Sequence, residues 1–278
     1  MKTHILVSCV AACLGTAFIS SASASVLMLD FGSTEATLGN LTNSPYHTAA
    51  GPSFTGAKWN TITADAPSGL VFSDNSAATG VSVNMGVSSG TTTTINLGSN
   101  TFSQLAGTAS DSLIYAGNSV GRDGIFTSNS SNPYFGVQIG GLSAGTYDIY
   151  IAARNTNTGS GQAAYDQIAY VGKASTAANF SFTGYTSSLL SYAADQNPDT
   201  YRASAWVQGD NYVKLSITLT AGEYLNLAVA GNGTTRGFLN AMQIVSTSTI
   251  PEPSTYAALG GFAVLGLAVV ARRRRGAA

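Results

Sequence analysis

Val213, Leu215, Ile217 and Leu219 alternate with Lys214, Ser216 and Thr218. This period of two marks a strand with one buried and one wet face. After the turn Thr220-Ala221-Gly222-Glu223 the pattern resumes with Leu225, Leu227 and Val229, so 213–219 and 223–229 are expected to pair as a hairpin. Tyr147, Ile149 and Ile151 alternate with Asp148 and Tyr150 after the turn Leu142-Ser143-Ala144-Gly145. Similar segments occupy 26–31, 80–85, 92–97, 134–139, 164–171, 203–208 and 238–245. No long amphipathic helix competes with them; 100–109 alone would accept a helical turn or two. Short strands separated by turn clusters predict an all-β fold, a single antiparallel β-sandwich or jelly roll over 25–245.

Both ends break the alternation. Met1-Lys2-Thr3-His4 is followed by a mostly apolar run to Ile19 and by Ser21-Ala22-Ser23-Ala24. That is the plan of a secretory signal peptide over 1–24, with Ser25 the first mature residue. Leu6-Val7-Ser8-Cys9 and Val10-Ala11-Ala12-Cys13 have a lipobox look, but both cysteines come before a full apolar core. At the other end, a spacer with a proline motif covers 246–254. Seventeen uncharged residues follow at 255–271, at the short end of what spans a bilayer as a helix. A basic tail at 272–278 closes the chain. Its arginines, Arg272, Arg273, Arg274 and Arg275, resist translocation, so they hold that end in the cytoplasm and leave the body outside.

Pro251, Glu252, Pro253 and Ser254, then the apolar segment, then the arginine cluster, resemble the PEP-CTERM sorting signal of Gram-negative bacteria. The resemblance implies processing by an exosortase-type membrane protease. It also implies membrane attachment before cleavage, a place at the cell surface or in the extracellular matrix afterwards, and an association with exopolysaccharide and biofilm production. Three further motifs, Leu29-Asp30-Phe31-Gly32, Gly145-Thr146-Tyr147-Asp148-Ile149-Tyr150 and 237–245, resemble secreted bacterial domains of the galactose-binding-like, jelly-roll type. That likeness implies a carbohydrate-binding module.

Composition narrows the chemistry. The chain has 12 Lys and Arg against 13 Asp and Glu, and setting aside both ends leaves a mildly acidic body without a basic run. Nucleic acid is therefore not an expected partner. Both cysteines fall in the signal peptide, so the body has no disulfide and no thiolate metal site. His47 is the one histidine after processing, in the segment Asn43-Ser44-Pro45-Tyr46-His47, where solvation is its ordinary state. Glu35 and Glu223 are the body's only glutamates, and nothing in the sequence brings them together as the facing carboxylates of a glycosidase. Asp74, Asp123 and Asp210 read as turn caps. No cofactor is expected; the oxygen-rich segments 195–199 and 122–124 offer ligands for a structural calcium.

A glycan site would need a ring for the apolar face of a sugar and planar polar groups for its hydroxyls. Trp59, Tyr46, Arg154 and Asn155 combine those shapes with settings near strand ends, whereas Trp206 reads as core. Two functions remain. The favoured one is a non-catalytic, exosortase-sorted surface or matrix protein associating with exopolysaccharide. The alternative is a secreted polysaccharide-active enzyme on a jelly roll.

Overall fold

The alternation resolves into two stacked sheets whose inner faces share one apolar layer. The computed structural model describes residues 26–33, 43–50, 54, 56–99, 101–106, 112–117, 119–128, 130–155, 166–191, 202–231 and 236–247. The expected signal peptide, Pro-Glu-Pro motif, membrane helix and arginine tail lie outside these residues. Residues Ala24–Thr249 form a compact unit in themselves.

In chain order the strands are β1 (Val26–Phe31), β2 (Asn60–Ile62), β3 (Ser82–Ser88), β4 (Thr94–Leu97), β5 (Phe102–Leu105), β6 (Ser112–Leu113), β7 (Gly124–Thr127), β8 (Phe135–Gly140) and β9 (Gly145–Ala152). They continue as β10 (Gln167–Ala174), β11 (Phe180–Ser181), β12 (Thr186–Leu190), β13 (Arg202–Ala203), β14 (Val213–Leu219), β15 (Tyr224–Gly231), β16 (Phe238–Leu239) and β17 (Ala241–Ser246). A six-residue helix, α1 (Pro45–Ala50), is the one helix among the described residues. One sheet has the order β14-β9-β17-β1-β2 and the other β11-β4-β3-β8-β15-β10-β12. Their pairings are antiparallel except β1 with β2.

Every second residue of each central strand enters the core. Leu27, Leu29, Phe31, Ile149, Ile151, Met242 and Ile244 come from the first sheet, and Met85, Val137, Ile139, Leu225, Leu227 and Val229 from the second. Each contributes about 1.5–3 kcal/mol by leaving water. Asn60 is buried beside this layer because its amide donates to Met28 O at 2.9 Å and Val71 O at 2.8 Å while its oxygen accepts the Val71 amide.

The all-β sandwich agrees with the sequence, but four local expectations do not survive. Strands β14 and β15 are not a hairpin: β14 pairs with β9, whereas β15 lies between β8 and β10 in the opposite sheet. The turn between them crosses the sandwich, closed by the Glu223 amide on Thr220 O and by the Thr220 amide on Glu223 Oε2. Both strands aim their apolar set at one core, and alternation alone cannot distinguish such an arch from a hairpin. Of the segment 203–208 only Ala203 is in a strand, because Trp206 turns inward with its Nε1 donating to Asn43 Oδ1 at 3.1 Å. The segment 238–245 is two strands broken at Asn240, whose buried side chain bridges the Arg154 amide and Asp123 O. Where helical turns were admitted at 100–109, Phe102–Leu105 is a strand paired with β7.

Candidate functional site

Three of the four residues expected to hold sugar are buried on the outer side of the five-stranded sheet. Trp59 is 7% exposed and packs with Val26, Met28 and Phe54. Arg154 is 1% exposed: its Nε donates to Gly121 O at 3.1 Å, its Nη2 to Arg122 O at 3.2 Å, and its guanidinium lies 3.8 Å from the centre of the Tyr115 ring. It fastens the 119–122 turn to the end of β9. Asn155 is equally buried. Half-buried Tyr46 alone keeps a substantial exposed face; its ring contacts Phe54 at 4.6 Å and Tyr150 at 5.4 Å, and its amide donates to Gln243 Oε1. Trp59 and Tyr46 thus share one cluster with the Tyr115 that carries Arg154, but as packing rather than as an open cleft.

His47 is not solvated either. It sits in α1, buried, between Ser44 Oγ and Gly56 O, each at 2.5 Å. A carbonyl can only accept, so Nε2 carries the proton and Nδ1 accepts the Ser44 hydroxyl. Burial lowers the His47 pKa, which keeps the ring neutral. Ser44 has no exposure and also accepts from Gln243 Nε2, so this Ser–His contact faces the interior.

Asp74 is the turn cap expected, accepting from the Ser76 amide and hydroxyl. Asp123 lies buried beside Asp30, each 1% exposed. No hydrogen bond of ordinary geometry reaches either oxygen of Asp30. Burial first, and the neighbouring Asp123 charge second, push its pKa well above the usual carboxylate range, against a smaller lowering by the Gly121 amide. Gly32 has φ +142°, and a side chain there would overlap the Asp123 carboxyl, which explains the glycine of the Leu29-Asp30-Phe31-Gly32 motif. Among the described residues no three His, Cys, Asp or Glu side chains gather as a metal cluster, and 195–199 lies outside them.

The more open aromatic surface is on the opposite sheet. Outward positions of β3, β8 and β15 include Asn84, Gln138 and Asn226 in register. Gln138 Nε2 donates to Asn226 Oδ1 at 2.9 Å, and Asn226 Nδ2 donates to the Tyr185 hydroxyl at 2.8 Å. The chain from Phe180 to Tyr185 folds onto this face. Gly172 makes room for it, since a side chain there would overlap the Tyr185 ring, and Gly136 likewise makes room for Ile95 of β4. Phe182 then wedges between Tyr134, at 5.3 Å, and Tyr170, at 4.9 Å. Beyond that wedge Tyr134, Tyr170 and Ile168 are half-buried and Leu189 is 43% exposed. Burial, then the proximity of Tyr134, raises the Tyr170 pKa, so its phenol stays neutral at ordinary pH. Sequence reading missed this surface because Tyr170, flanked by Ala169 and Val171, has the look of a core strand position.

The fold and its surfaces define a β-sandwich body bearing aromatic patches, ahead of a C-terminal sorting tail. Residues 249–275 match the PEP-CTERM protein-sorting motif. This motif is the substrate signal of exosortase, and it implies export with C-terminal processing. No curated protein matches the chain. Among solved structures, the chain is similar to protein YXIM of Bacillus subtilis, with 16% identity and a TM-score of 0.39, over 81% of this chain and 41% of that one. It therefore spans about two fifths of that protein's length. A second similarity is to TmCBM61 in complex with β-1,4-galactotriose, with 9% identity and a TM-score of 0.25, over 59% of this chain and 83% of that one.

Proposed function

We propose that the protein is a non-catalytic component of the cell surface or extracellular matrix. It is processed by an exosortase-type membrane protease, and its sandwich body associates with exopolysaccharide. The observation that carries this reading is the sorting motif at 249–275, which directly follows the compact unit Ala24–Thr249. The non-catalytic part is supported by the burial of the adjacent carboxylates Asp30 and Asp123 and of the serine beside His47. A glycosidase needs two carboxylates that reach the sugar, whereas Asp30 and Asp123 are both covered. A hydrolytic triad needs an accessible serine, whereas Ser44 beside His47 has no exposure.

The test uses the excised body, residues 24–249, and exopolysaccharide extracted from the producing strain. Co-sedimentation of the body with the polymer, without new reducing ends after prolonged incubation, is the expected result. Release of reducing ends would replace this reading with the enzymatic one, and a body that stays in the supernatant would remove the association.

A further inference from the structure

We propose that the outer face of the seven-stranded sheet, at Tyr134, Tyr170, Ile168, Ser187 and Leu189, is a binding surface for an uncharged polysaccharide. This rests on the association with exopolysaccharide and gives it a place and a ligand class. Register sets the patch: Tyr170 is opposite Ala228 on one side and Ser187 on the other, and Ile168 is opposite Ala230 and Leu189. The small Ala228 beside it lets the half-buried Tyr170 ring pack on the sheet while keeping part of its surface open. The Phe182 ring packs between both tyrosine rings, so their orientation does not have to be fixed when a ligand arrives.

Chemistry selects the occupant. Neither the Tyr134 nor the Tyr170 hydroxyl hydrogen-bonds to another described residue, so both remain available beside apolar rings. A sugar has the matching pair of surfaces, a C–H face for the ring and hydroxyls for the phenols. The outward positions of the patch carry no charge. Lys173 reaches instead to the other sheet, donating to Thr218 O at 3.0 Å and pairing with Glu223 at 2.9 Å. These outward positions offer no cation to an acidic polymer, so an uncharged chain fits better. Two tyrosines and two aliphatic side chains are too few for the core of a stable protein interface. A bilayer surface would call for basic residues, which the patch does not have.

The experiment separates the strain's exopolysaccharide into neutral and acidic fractions by anion exchange and measures retardation of the excised body in gels containing each. The expected result is retardation by the neutral fraction, weakened about tenfold by Tyr170→Ala or Tyr134→Ala, with Tyr46→Ala behaving as the parent. Tyr170→Phe should keep most of the affinity, and thermal unfolding of each variant checks that its fold is intact. Parental retardation of both folded alanine variants would overturn the site while leaving the association standing. Retardation by the acidic fraction alone would overturn the ligand class, and retardation by neither fraction would overturn both the site and the association on which it rests.

Discussion

At the scale of single residues, burial governs the side chains with the most chemistry: Arg154, Trp59, His47 and Asp30 all face the interior. Arg154 was expected to reach for a sugar because it follows a strand among polar neighbours. The structure turns it inward because two carbonyls of the 119–122 turn and the Tyr115 ring accept it. Such partners are more than thirty residues away, beyond what local sequence can show. Trp59 shares that fate, and Trp59→Ala should cost about 3–5 kcal/mol, read as a lower denaturant midpoint of the body. Asp30 gives the clearest pH prediction. Its raised pKa means the native state keeps a proton that the unfolded chain releases. Stability should be fully present below the ordinary carboxylate pKa and fall as pH rises from there through the raised value. Asp30→Asn cannot ionise, so it should raise the melting temperature at neutral pH and flatten the profile in that window. An unchanged profile would show that Asp30 is not the group responsible.

Elements were read better than their partners. The alternation at β9 and β14 was plain, because a strand with one dry face needs a period of two, whereas β1, β8 and β17 are buried on both faces. Pairing was not plain, since β14 and β15 send equivalent apolar sets into the same core from opposite sheets. Registry resolves it: Thr218 is opposite Thr146, their hydroxyls 3.0 Å apart, and Lys214 reaches Asp148 at 2.6 Å from the neighbouring strand. The excised body has no cysteine, so pairing can be tested chemically. Thr146→Cys with Thr218→Cys should form a disulfide on mild oxidation, since opposed strand residues are within reach of one. A double variant that remains reduced while folded would argue against this register. Half-exposed Tyr170 belongs to the same scale, as alternation sets its parity but cannot tell whether the outer face is covered.

For the whole molecule, the sandwich supplies a stable body and the tail supplies its destination. The tail was the most legible part of the sequence, because three physical demands occur there in order: a helix-breaking proline pair, an apolar span and a charge cluster. Such demands act locally and need no tertiary partner to be recognised. The arginines are the stop, so replacing Arg272, Arg273, Arg274 and Arg275 with serine should shift the precursor away from correct membrane placement, as read by fractionation and protease accessibility. The most direct measurement is intact mass spectrometry of the protein recovered from the cell exterior. The expected species begins at Ser25 and ends near Pro251-Glu252-Pro253-Ser254, without the apolar segment or the arginines. An exterior protein that still carries Arg272 to Arg275 would contradict this expectation.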